Sequence, residues 1–155
     1  MNEIQYIQKH GANKARYPAY GRLTDHLQED GFTGDLDALI RLISACEMVE
    51  LLGGYEEAKK EFAEQLKADK PYPNETENNK RILLDYRRAN NIFEMDDYII
   101  HDGELKVFAM WSSAVEGCAY IGYAYAEDGE MAHKDEFRHA TDEEIKAGKR
   151  LEVNQ

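Results

Sequence analysis

Three histidines in the second half of this 155-residue chain stand close to carboxylates: His101 beside Asp102, His133 just before Asp135 and Glu136, and His139 three residues beyond Glu136. Imidazoles next to acids suit proton transfer, so these are the candidate acid–base or ligand residues if the chain is an enzyme. Metal binding asks for more. No HExxH, no cysteine pair and no calcium-binding loop surrounds them. His133 and His139 share a strand face only if Lys134-Asp135 leaves the strand unbroken, so neither a metal site nor a cofactor is expected. Nucleophiles are equally sparse. Ser112-Ser113 has no G-x-S-x-G frame, while Cys46 and Cys118 sit in apolar runs that suit buried thiols in a reducing compartment. The chain contains neither G-x-x-x-x-G-K-[ST] nor G-x-G-x-x-G, so nothing in the sequence supports nucleotide binding of those two types.

Carboxylates are the abundant chemistry. Asp96-Asp97, Asp102 with Glu104, Glu127-Asp128 with Glu130, and Asp135-Glu136 form four groups. A general acid needs one carboxyl desolvated against apolar surroundings. These acids flank expected hairpin turns, where water keeps them ionised. The same placement yields a patterned negative surface of the kind that fills a basic cleft built for nucleic-acid phosphates. Trp111, Tyr120, Tyr123 and Tyr125 are the aromatic residues that could anchor such an interface, although core packing is the commoner role.

The charge totals agree with that emphasis. Thirty-one acids face 19 bases, a net charge of -12. The block 91–136 holds eleven acids against Lys106 and Lys134 alone, and residues 25–70 hold twelve against five. Such acidity argues against direct binding to nucleic acid or to an anionic membrane. One segment runs the other way. KHGANKARYPAYGR places Lys9, Lys14, Arg16 and Arg22 among Tyr17 and Tyr20, either as a small phosphate-contacting arm or as a partner for the acidic blocks of this chain or of a second copy in a homodimer. No run of eighteen apolar residues exists and the amino terminus lacks an apolar h-region, so a cytoplasmic protein without signal peptide or membrane span is expected.

Helices occupy the first part. The pattern predicts a short helix over residues 2–10 stopped by Gly11, then a turn-rich stretch through Tyr17, Pro18, Tyr20 and Gly21, then a short helix near 23–29. Asp35 caps the strongest element, in which Leu36, Leu39, Ile40, Ile43 and Cys46 recur at helical spacing until Gly53-Gly54. An amphipathic helix with Ala58, Phe62 and Leu66 inward should pair with it as a hairpin. Lys70-Pro71-Tyr72-Pro73-Asn74 marks an internal boundary near 70–75, after which Thr76 caps a helix to about Ala89.

Past Asn90 the texture turns to short β-branched and aromatic runs. Residues 97–101 and 104–111 flank the hairpin pair Asp102-Gly103. Residues 118–126 read as a long strand that a second pair, Asp128-Gly129, returns into 131–133, and 136–139 adds an edge. Thr141 caps a last turn over 142–147. The expectation is a single α+β domain: three or four helices over 1–90, packed on a C-terminal antiparallel meander of three to five strands within 91–155.

The tail FRHATDEEIKAGKRL (137–151) and the segment LISACEMVELLGGYEEAKKEFAE (42–64) resemble small accessory proteins of temperate, lambdoid-type phages of enteric bacteria. The resemblance covers under a third of the chain and rests on structural motifs, with no catalytic residues to carry over. It implies a protein made in the cytoplasm of an infected bacterium and aimed at host machinery. Joined to the acidic surface, it leads to the expectation of a non-enzymatic, DNA-mimic-like inhibitor of a host protein, such as a defence nuclease, that has a basic nucleic-acid-binding cleft. The alternatives are a small enzyme built on His101, His133 and His139, or a structural or regulatory dimer.

Overall fold

Asn2 starts the first helix by a reciprocal exchange: its side chain accepts from Gln5 N while the Gln5 side chain accepts from Asn2 N. That capping box satisfies two backbone donors that a helix start leaves unpaired. The structure, a computed structural model, describes residues 1–67 and 73–148. The chain forms two compact units, Met1–Ile92 and Phe93–Gln155.

The first unit is helical: α1 (Glu3–His10), α2 (Ala12–Tyr20), α3 (Thr24–Glu29), α4 (Leu36–Leu51), α5 (Tyr55–Leu66) and α6 (Pro73–Asn90). Asp35 caps α4 by accepting from Ala38 N at 2.8 Å. The apolar stripe of α4 then reaches a core shared by α1, α2 and α3, where Leu39, Leu42, Ile43 and Cys46 meet Ile4, Ile7, Ala15, Ala19 and Leu27. Val49, Ala58 and Phe62 form a second cluster beside Ile82, Leu83 and Tyr86. Gly53 and Gly54 both take positive φ, 98° and 110°, which ends α4 as the glycine pair foretold.

Among the described residues six helices stand in this unit, where three or four were expected. The supposed turn-rich stretch is α2, with Pro18 inside it. Ala15 and Ala19, four residues apart and fully buried, let α2 lie close against α4, and that packing outweighs the poor propensity of Pro18. The last long helix opens at Pro73 rather than at a Thr76 cap, a position where the missing N–H of proline costs nothing. Of the expected boundary at 70–75, residues up to 72 lie outside the described residues.

The second unit is a five-stranded antiparallel sheet followed by a short helix. Its strands are β1 (Tyr98–His101), β2 (Glu104–Trp111), β3 (Cys118–Gly122), β4 (Gly129–His133) and β5 (Phe137–His139), ordered β4-β3-β2-β1-β5, and α7 is Asp142–Ala147. Together the two units are an α+β fold. Asp102 and Gly103 take φ of 52° and 77°, the paired positive values of a two-residue hairpin turn.

The second Asp-Gly pair behaves differently. β3 ends at Gly122, residues 123–128 form a loop, and Gly129 is the first residue of β4, opposite Gly122. Neither Asp128 nor Gly129 has positive φ. A Cβ on Gly129 would lie 2.9 Å from the Ile121 carbonyl, so this glycine serves close strand approach and not a turn.

A register shift between Phe108 and Met110 inserts one residue into β2, which brings Phe108 and Trp111 to the same face. That face buries Phe93, Ile99, Phe108, Ala119, Ile121, Ala132 and Phe137. The sheet is strongly curled. Laid flat, five strands would hold β4 and β5 roughly 19 Å apart. Four Cα steps from His133 to Phe137 reach at most about 15 Å. Coiling of the sheet brings its two edges within reach of that connection.

Candidate functional site at the acidic end of the sheet

Strand alternation decides what the inner face carries. The pairs Ile99↔Lys106, His101↔Glu104, Phe108↔Ile121, Ile121↔Glu130 and Ala119↔Ala132 place all these residues on one side. The aromatic core occupies one end of that side. Towards the β1–β2 turn it gives way to Glu104, Lys106, His101 and Glu130.

Lys106 is the centre of this polar end, with only 5% of its side chain exposed. Its Nζ lies 2.5 Å from Glu130 Oε1, 2.9 Å from His101 Nδ1 and 3.9 Å from Glu104. It also stands 5.4 Å above the ring centre of Tyr123. An ammonium can only donate, so His101 Nδ1 accepts and the proton of the neutral ring belongs on Nε2. That Nε2 faces Glu136 Oε2 at 3.7 Å. Asp102 Oδ2 and Glu130 Oε1 stand 3.6 and 3.4 Å from Nδ1.

The hydrogen bond from Lys106 holds the Glu130 carboxyl below the ordinary carboxylate range, against a smaller opposing effect of burial. The Tyr123 hydroxyl donates to Glu104, and this bond pushes the phenol up to about 12. Tyr123 also stacks on Tyr125, whose ring is fully open to solvent on its other side at 87% exposure.

Seven of the nine candidate acids therefore share one end of the sheet: Asp102 and Glu104 at the β1–β2 turn, Glu127, Asp128 and Glu130 at the start of β4, and Asp135 and Glu136 in the β4–β5 connection, Glu136 against His101. Asp135 and Glu136 join Ile100, Asp102, Phe137 and Arg138 in lining an open cleft of about 410 Å³. Arg138 is already engaged, giving two 2.7 Å bonds to the buried Glu144. The other two acids lie elsewhere. Asp96 N donates to Phe108 O, beyond the opposite end of β1, with φ of 72°. Asp97 is corrected outright: it is 6% exposed and its side chain accepts from Glu94 N at 3.0 Å, so it shapes the approach to β1 and is no surface charge.

The aromatic candidates divide as well. Trp111 packs against the inner cluster, 5.2 Å from Phe108 and 6.1 Å from Phe93, and remains 41% exposed. Tyr120 lies on the outer face between Met110 and Met131. Only Tyr123 and Tyr125 stand at the acidic end.

The three histidines do not assemble. His139 is 1% exposed and stacks flat on Phe93 at 4.2 Å, a core residue. His133 is on the outer side of β4, opposite Cys118 and 3.2 Å from Asp135. Cys118 is half-buried, whereas Cys46 lies in the helical core, where burial pushes its thiol up to about 11. Among the described residues, no three His, Cys, Asp or Glu side chains are placed to hold a metal ion, and no helix is long and apolar enough to cross a membrane.

The basic amino-terminal segment is partly spent within its own unit. Arg16 pairs with Glu47 at 2.6 Å and Arg22 with Asp37 at 3.2 Å, both acids of α4. That is the intrachain pairing raised as one alternative. What sequence reasoning missed is Lys106 as the organiser of the acids. Its period-2 spacing from Phe108 was the available signal, because it set a lysine on the same face as the core.

Comparison of the chain with protein-family models, curated proteins and solved structures finds no match to any of the three.

Proposed function

We propose that this chain is a non-enzymatic binding protein whose acidic sheet end docks on a basic surface of another protein. The observation that carries the reading is the gathering of Asp102, Glu127, Asp128, Asp135 and Glu136 around one end of a hydrogen-bonded sheet, beside the exposed ring of Tyr125. Glu104 and Glu130 support the reading in another way. They are engaged by Tyr123 and Lys106, so they build the surface, while Asp102, Asp135 and Glu136, although each lies near a histidine, keep more than half of their side chains exposed. Carboxylates on rigid turns steer a cationic partner and fix its register more than they add raw affinity. The phage resemblance of the tail and of the α4–α5 segment makes a host nucleic-acid-processing or defence enzyme the fitting target, in a bacterial cytoplasm.

The test is a triple reversal, Glu127→Lys, Asp128→Lys and Asp135→Lys, which spares the turn residue Asp102 and the Lys106 contacts. Wild-type protein should capture and inhibit one basic nucleic-acid enzyme from bacterial lysate, and release it as salt screens the contact. The reversed protein should fold, capture its partner more slowly and lose the salt dependence. Equal capture rate, tightness and salt response in the reversed protein would reduce these acids to an ordinary solvated face.

A further inference from the structure

We propose that His101 is a proton-operated switch that decides where the ammonium of Lys106 sits. The contact between His101 Nδ1 and Lys106 Nζ, 2.9 Å, exists only while Nδ1 keeps its lone pair. Both side chains are almost wholly buried, at 7% and 5% exposure. A proton taken from solvent onto Nδ1 turns that acceptor into a donor and sets two cations face to face in a poorly hydrated place. One of them must leave.

The charged groups around the pair decide which. Asp102 from the β1–β2 turn and Glu130 from β4 face Nδ1, at 3.6 and 3.4 Å, and Glu136 from the β4–β5 connection faces Nε2 at 3.7 Å. From β2 come Lys106 itself and Glu104, and Tyr123 beyond β3 reaches the same group through Glu104. Three carboxylates thus already stand around the imidazole, placed to pair with it once Nδ1 carries a proton. Glu130 Oε1 needs little movement to exchange Lys106 for His101. Lys106 has an exit ready, towards Glu104 at 3.9 Å and across the Tyr123 ring. Its stem is flexible and its ammonium hydrates readily, whereas the imidazole is short and pinned to its strand. The switch consumes one proton and moves one cation outward. The inference is independent of what the acidic end binds.

The experiment is a pH series from 8 to 5.5 on the whole chain by NMR, reading the His101 ring, the Lys106 Cε methylene and the Tyr123 ring together. The three sets of signals should move with a single midpoint. In His101→Gln an amide oxygen still accepts from Lys106 but binds no proton, and the pH-dependent shifts of Lys106 and Tyr123 should be lost. The proposal is overturned if Lys106 and Tyr123 stay still while His101 titrates, or if His101 does not titrate while the fold persists. It is equally overturned if the glutamine variant responds to pH as the wild type does; should that variant not fold, the wild-type series decides alone.

Discussion

Replacing Lys106 by methionine tests whether the ammonium holds the acidic end together. Methionine keeps an unbranched apolar stem of similar length, so the change isolates the charge. Two hydrogen bonds are lost, a charge-assisted bond to Glu130 and a donor to the buried His101 Nδ1, along with the weaker 3.9 Å ion pair to Glu104 and the contact over the Tyr123 ring. A hydrogen bond to a charged group contributes about 1.5–3 kcal/mol net, and an orphaned buried acceptor costs about 1–3 kcal/mol. Removing one member of a fully buried ion pair costs about 3–5 kcal/mol. The Glu130 side chain, however, is 50% exposed and rehydrates on release. That relief decides the sum, and about 2–3 kcal/mol is expected at pH 7. The pH dependence follows from the direction of the Glu130 shift. Its folded-state carboxyl is held low, so the stability it contributes is complete above the ordinary carboxylate range and disappears as pH falls through the folded-state value. The gap between wild type and Lys106→Met should hold level from pH 7 down to the ordinary carboxylate range and narrow below it, towards pH 3. Urea unfolding followed by fluorescence measures it, because the single tryptophan, Trp111, packs against the inner aromatic cluster of the same sheet. A gap below about 0.5 kcal/mol at pH 7, the size of an ordinary surface substitution, would refute the reasoning. So would a gap that is the same at pH 7 and pH 3.

Two further outcomes are expected. Phe93→Ala removes the ring that packs on Phe137 at 5.0 Å, on Phe108 at 5.6 Å and flat against His139 at 4.2 Å, and should cost about 3–5 kcal/mol by the same fluorescence assay. A disulfide reagent at pH 8 should label Cys118 in the native protein and Cys46 only after denaturation. Burial holds the Cys46 thiol up to about 11, so its share of stability is present below the ordinary thiol range and is lost as pH rises through about 11.

How much was legible follows from the range of each interaction. The Asp35 cap, the Gly53-Gly54 stop, the Asp102-Gly103 turn and the Thr141 cap of α7 are decided within four residues, and a sequence shows such features directly. The α2 helix is decided by Ala15 and Ala19 seating against α4, a contact made more than twenty residues away, and local propensity around Pro18 pointed elsewhere. The Asp128-Gly129 misreading has the same origin. A glycine demanded by positive φ and a glycine demanded by a carbonyl 2.9 Å away look alike in sequence.

The grouping of the acids was within reach, because an antiparallel meander sends successive turns to alternate ends of its sheet. The first turn, at 102–103, and the third, at 123–128, must share an end, and the second, at 112–117, must face the other way. Asp102, Glu104, Glu127, Asp128 and Glu130 are therefore neighbours by topology, and Asp96 and Asp97, which precede the first strand, are excluded by the same rule. Topology alone does not make the group bearable. Five carboxylates on two adjacent turns repel one another, and a curled sheet draws them closer still. The inward lysine of β2 answers that repulsion from beneath, where its ammonium meets Glu130 and His101 and its stem continues the apolar face of Phe108. A sheet end with this much negative charge needs a cation inside it, and alternation from Phe108 through Lys106 to Glu104 shows where that cation has to be.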